Sequence, residues 1–183
     1  METIIFIGLG NHGKGFTWTR HNIGKDFLTW KLNEENHTLH IEDNYDYFMD
    51  TKNNVAVYYV IPKTSMNISG EIIQKGILQK LYLSEKNVTT YIIHDDLQVE
   101  FGKYKSRTGN DRGPRGHNGN RSIIEHLKSK KNYIQPYYLS IGIGRPSDGD
   151  VSNWVLKKFS FGEQQTMQSL FLDINGMIDT IIK

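Results

Sequence analysis

No cysteine occurs in this chain, which excludes disulfides and thiolate metal sites. Apolar runs are short, and none approaches the roughly eighteen residues of a membrane span. Internal repeats, low-complexity tracts and linkers are missing as well, so residues 1–183 read as one domain with an ordinary core. There is no basic leader: Met1-Glu2-Thr3 passes directly into Ile4-Ile5-Phe6-Ile7, and no cleavable targeting peptide is expected. Excess charge is scarce too, at +2 overall, but its distribution is uneven. Residues 102–131 hold nine Lys or Arg against two acids, a local +7 that leaves −5 for the rest of the chain. A basic patch on a near-neutral protein points to a polyanionic partner.

Apolar runs at 3–7, 55–61, 89–93 and 137–143 read as buried strands, and 103–107 as a further strand. Residues 37–49 alternate in polarity and suggest one or two edge strands with a turn at Asp43-Asn44. Helices are expected over 23–32, capped by Asn22, and after Gly70, where Ile72, Ile73, Ile77 and Leu81 form a stripe. Asn118 opens another, with Ile123, Ile124 and Leu127 facing inward. The pattern Ser160-Phe161-Gly162-Glu163 is a capping box. It leads a last helix whose Met167, Leu170, Phe171, Ile174, Met177, Ile178 and Ile181 pack on the core. Strands alternating with helices indicate the α/β class.

Polar residues collect where these strands end. Gly8-Leu9-Gly10-Asn11-His12-Gly13 has the form G-x-G-x-x-G, but 14–22 is polar and irregular where a dinucleotide site needs a helix. The glycines instead let the backbone turn and bring Asn11 toward a ligand. His21, between a strand and a helix, either caps the helix or exchanges protons near neutral pH. Asn67 either caps the following helix or faces a ligand. His94-Asp95-Asp96 closes a strand, and one of the two acids is placed to orient a histidine. His37 and His40 have metal-like spacing, but residues so spaced on a strand point to opposite faces. No metal site is expected, because the histidines are scattered over different elements.

Taken together, Gly8-Leu9-Gly10-Asn11 with Thr19-Arg20-His21-Asn22, Met66-Asn67-Ile68-Ser69-Gly70, His94-Asp95-Asp96-Leu97 and Gly116-His117-Asn118-Gly119 resemble the signatures of the bacterial-type peptidyl-tRNA hydrolase family. Ile141-Gly142-Ile143-Gly144-Arg145-Pro146 resembles a further element of it. The resemblance implies a single α/β domain with a mixed twisted sheet flanked by helices. It also implies hydrolysis of the ester joining a peptide to the 3′ end of tRNA, without cofactor or metal, by a monomer in the cytoplasm or the mitochondrial matrix. It makes His21 the general base and Asp95 its orienting partner. Asn11 and Asn67 match residues that hold substrate, with Phe16, Met66 and Gly116 beside them, and Asn118 matches one that positions the water and the reacting carbonyl. The acceptor stem is the expected partner of the basic segment, through Lys105, Arg107 and Arg115.

The chain departs from the family pattern at four places. His12 stands for a usual proline and Phe16 for a tyrosine, which keeps the ring face and loses the hydroxyl. Arg115 stands for a glycine, as in some eukaryotic, especially fungal, members. Tyr138-Leu139-Ser140 replaces an Arg-x-Arg pattern, one arginine of which the family uses to grip the tRNA 5′ phosphate; Lys105, Arg107, Arg112, Arg115 or Arg121 would have to compensate. Two rivals stand beside the enzyme: a non-catalytic RNA-binding protein on the same fold and a nucleotide-dependent oxidoreductase.

Overall fold

Ile4, Ile5, Phe6 and Ile7 are all buried in β1 (Glu2–Gly8), so both faces of this strand are covered. The computed structural model describes residues 2–84, 87–107 and 116–183. Its other strands are β2 (His40–Ile41), β3 (Tyr45–Lys52), β4 (Val55–Pro62), β5 (Val88–Asp96), β6 (Tyr104–Arg107) and β7 (Tyr137–Gly142). They form one sheet in the order β2-β3-β4-β1-β5-β7-β6. The central β4, β1, β5 and β7 run parallel, while β2, β3 and β6 add antiparallel edges. The sheet is therefore mixed, as the family resemblance implies.

Alternation along β1 sends Ile4 and Phe6 to one face and Ile5 and Ile7 to the other. On the first face α1 (Ile23–Glu34) and α5 (Phe161–Ile181) supply Phe27, Leu28, Phe171, Ile174 and Ile178. On the second, a 3₁₀ segment Met66–Gln74, α2 (Gly76–Ser84) and α3 (Asn118–Lys128) supply Ile72, Ile73, Leu78, Leu81 and Ile123. Burying one such side chain fully is worth about 1.5–3 kcal/mol, so the two helical layers hold the sheet between them. The capping box is present, with Ser160 Oγ accepting from Glu163 N–H and the Glu163 carboxylate from Ser160 N–H. Met177 and Ile181 are only half-buried.

Three local expectations need correction. The helix after Gly70 is two pieces, a 3₁₀ segment and then α2, parted by extended Lys75 and by Gly76 at φ +54°. A 3₁₀ turn holds three residues, so the stripe loses phase; Leu78 is buried and Ile77 only partly so. Asn22 precedes α1 but makes no side-chain cap bond. A short α4 (Val151–Leu156), capped by the Asp150 carboxylate, was not expected.

Gly8 and Gly24 set the position of α1. A Cβ on Gly24 would collide with the backbone carbonyl of Ile93, and one on Gly8 with the carbonyl of Gly24. Their bare backbones let the first turn of α1 rest directly on β1 and β5. The chain leaving β1 enters α1 on one face, whereas the next helix after β5 is α3 on the other. The carboxyl ends of these neighbouring parallel strands therefore open a crevice, where open α/β sheets bind ligands.

Candidate active site

His21 reaches this crevice on a loop held at several points. Trp18 adopts φ +60°, an uncommon conformation for a bulky residue. Its N–H donates to the buried Asp26 carboxylate at 2.9 Å, and its ring stacks on Phe171. Arg20 is buried and donates to the carbonyls of Lys157 and Lys158 and, at 2.7 Å, to the Glu163 carboxylate. Its guanidinium lies 3.9 Å over the Trp154 ring. On the other side of His21, the Asn22 amide accepts from Asn11 N–H at 2.8 Å and donates to Asn11 C=O at 3.0 Å. That is where the expected helix cap went: the amide ties the loop to itself. His21 thus sits in a short 3₁₀ turn, Arg20–Asn22, between two anchored neighbours.

The Nδ1 of His21 lies 2.9 Å from each oxygen of Asp95. A carboxylate only accepts, so Nδ1 carries the hydrogen and Nε2 keeps its lone pair. Oδ1 of Asp95 also meets Nε2 of His117 at 2.8 Å. His117 is the N-cap of α3, its Nδ1 accepting from Asn120 N–H at 3.3 Å, so its proton is on Nε2. Burial opposes charge on His21, but the charge and hydrogen bonds of Asp95 outweigh it and raise the His21 pKa above 6.5. Burial alone would raise Asp95, yet His117 and His21 hold its carboxyl far below the ordinary range. The carboxylate is 4 % exposed and the imidazole 15 %, so water reaches the base and not its partner.

A cavity of about 620 Å³ opens over this pair. Its lining includes His21, Asp95, His117, Asn118 and Gly116, together with Arg107 and Arg145. Val151, Ser152 and Val155 of α4 form another part of the wall. Arg107 points Nη2 at Asp96 across 3.8 Å, and Arg145 is fixed by Nε donating to Leu97 C=O at 2.9 Å.

A family model described as peptidyl-tRNA hydrolase matches residues 5–183. The chain belongs to the peptidyl-tRNA hydrolase family. It is 32 % identical to the peptidyl-tRNA hydrolase of Rickettsia felis over 183 residues, covering 98 % of this chain and 94 % of that one. With the Staphylococcus haemolyticus enzyme it shares 37 % over 166 residues, or 90 % and 83 % of the two chains. The crystal structure of peptidyl-tRNA hydrolase from Acinetobacter baumannii superposes with a TM-score of 0.73 at 29 % identity, covering 97 % of this chain and 91 % of that one.

In this peptidyl-tRNA hydrolase fold the expected residues separate into two groups. His21, Asp95, Gly116, Asn118 and Arg107 share the cavity. Asn11, Phe16, Met66, Asn67 and Lys105 are not among its described lining. Asn11 turns Oδ1 to accept from Met66 N–H at 2.8 Å, and Met66 is buried beneath Gly119. Phe16 and Asn67 are exposed, as is Lys105 on the edge strand opposite Ser140. Lys103 precedes β6 and pairs with Glu100. Arg112 and Arg115 lie outside the described residues.

One reading holds and one changes. The glycines after β1 do not open a helix, since the next turn is the 3₁₀ piece Lys14–Phe16; that removes the basis for a dinucleotide site. The histidines are not scattered: one ligand atom each from His21, Asp95 and His117 lies within 4.8 Å of the others. These atoms fit a metal poorly, because both histidine nitrogens point hydrogens at the carboxylate. His117, whose ring is 5.0 Å from that of His21, went unrecognised in the sequence. Its only signal was its place in Gly116-His117-Asn118-Gly119.

Proposed function

We propose that this protein hydrolyses peptidyl-tRNA at the ester linking the peptide to the 3′-terminal ribose, with His21 as general base. The observation that carries the mechanism is the hydrogen bonding of His21 Nδ1 to both oxygens of Asp95, at the wall of a cavity. Nε2 takes a proton from water as the water oxygen attacks the ester carbonyl carbon. The carbonyl oxygen gathers the negative charge, and Asn118, whose amide both donates and accepts, steadies it or the water. Collapse breaks the bond to the ribose oxygen, which recovers the proton from Nε2. Asp95 holds the required tautomer and stabilises the imidazolium, and His117 fixes Asp95. No step needs a metal.

The tRNA body lies toward β6. Ser140 is fully buried and does not reach a phosphate; among the described residues Arg107, at the cavity, and exposed Lys105 and Arg121 are the candidates to contact the backbone of the acceptor stem. No helix among the described residues is long and apolar enough to cross a membrane; cytoplasm and mitochondrial matrix are the compartments that supply the substrate. The test is release of peptide from a short peptidyl minisubstrate in EDTA. Release at the rate seen without chelator is expected. Loss of activity, restored by one divalent metal, contradicts the metal-free mechanism.

A further inference from the structure

Behind Asp95 lies a second, wholly buried layer that the hydrolytic steps do not use. β1 ends at Gly8, opposite Ile93, and Leu9 N–H takes the Ile93 carbonyl. Carbonyls two residues apart on a strand point the same way, so that of Asp95 projects past the end of β1 and has no strand partner there. His94 supplies one, its Nδ1 lying 2.7 Å from Asp95 O. A carbonyl only accepts, so His94 is protonated at Nδ1 and its Nε2 must accept. The donor is Ser140 Oγ from β7, 3.0 Å away, and both side chains are fully buried. The His94 ring stands edge-on to His117 at 5.2 Å. Burial first, and the neighbouring His117 second, press the His94 pKa down to about 4.

We infer that Ser140 is a positioning residue, which through His94 holds the backbone and ring contacts that aim Asp95 at His21. The inference rests on His21 acting as the base. Each nitrogen of the three histidines then has one defined protonation state, and His21 Nε2 alone keeps a lone pair with no described partner. Removing the hydroxyl strands His94 Nε2 in the interior, where an unmet polar atom drives rearrangement. His94 then loses its hold on Asp95, whose carboxylate serves His21 and His117 together. The titratable groups facing His94 are His117 at the start of α3, Asp95 and Asp96 of β5, and Tyr138 of β7, whose ring stands edge-on at 6.0 Å; Arg107 of β6 faces Asp96, and Arg145 beyond β7 borders the cavity with His21.

The test combines Ser140→Ala and Ser140→Thr with histidine ¹⁵N spectra of the unaltered protein. Ser140→Ala should lower kcat about tenfold, keep KM for tRNA substrates within about twofold, and move the rising limb of the pH–rate profile to lower pH. Threonine, which retains the hydroxyl, should restore both. The spectra should show His94 neutral and protonated on Nδ1 from pH 5 to 9, which checks the network even if the alanine variant does not fold. An unchanged kcat and limb in Ser140→Ala, even with lowered stability, overturns the inference. So does His94 protonated on Nε2. His21→Ala separates the two claims: an active His21→Ala removes the base itself, whereas an inactive one beside a normal Ser140→Ala removes only the role of Ser140.

Discussion

Asp95 accepts from two histidines through one carboxylate, and its charge is what raises His21 above its ordinary pKa. A base is useful only unprotonated, so the rising limb of kcat/KM in the parent enzyme should lie above pH 6.5. Asp95→Asn leaves burial as the remaining influence, and burial lowers an imidazole pKa. The variant should therefore show its limb below that of the parent, with a plateau reduced at least about tenfold and by no more than the roughly 10²–10⁴-fold a general base contributes. A pH–rate profile with both features unchanged would show that Asp95 does not act on His21. The choice of Asp95 over Asp96 was not open to local sequence reading, since both close the same strand. The family resemblance singled out Asp95, and in the fold Asp95 meets His21 while Asp96 takes Gln98 N–H and faces Arg107.

At the scale of elements, the loop before α1 is held by a buried acid whose ionisation opposes folding. Burial lifts Asp26 to about 7, partly offset by the Trp18 N–H bond and the charge of Lys25. A carboxyl raised in the folded state takes up a proton on folding, so its penalty is absent below the unfolded pKa near 4. The penalty grows as pH rises and is complete above about 7. Asp26→Asn keeps an acceptor for Trp18 N–H and removes the charge. A tenfold change in proton affinity corresponds to about 1.4 kcal/mol, which sets a ceiling of about 4 kcal/mol, and relaxation brings the expected gain at pH 8 nearer 1–2 kcal/mol. Denaturant melts at pH 8 and pH 4 should show stabilisation at the first and little at the second; equal effects would mean that ionisation is not the cause.

The same scale shows what could be read in advance. Strands of continuous apolar residues and the capped α5 were legible because period and capping are local properties. The break at Gly76 and the diversion of Asn22 to Asn11 were not, because each is decided by a partner distant in sequence. His117 went unremarked for the same reason: its value comes from Asp95, twenty-two residues earlier.

For the whole molecule, the uneven charge becomes geometry on the β6 side of the cavity. Arg107 borders the cavity with a quarter of its side chain exposed, and its contact with Asp96, at 3.8 Å, is a loose one. Arg107→Gln should raise KM for tRNA substrates, flatten the salt dependence of binding by up to about one unit of slope, and spare a minimal ester. Binding measured across salt concentrations with parent affinity and slope would place the tRNA elsewhere. Ser140 itself is inside the molecule, bonded to His94, and offers no charge at this surface.

The central claim, that His21 Nε2 deprotonates the attacking water, is tested most directly by single-turnover release of peptide from peptidyl-tRNA by His21→Ala, with tRNA affinity measured in parallel. The account predicts release slowed about 10²–10⁴-fold with affinity nearly unchanged. Release within about twofold of the parent rate would contradict it.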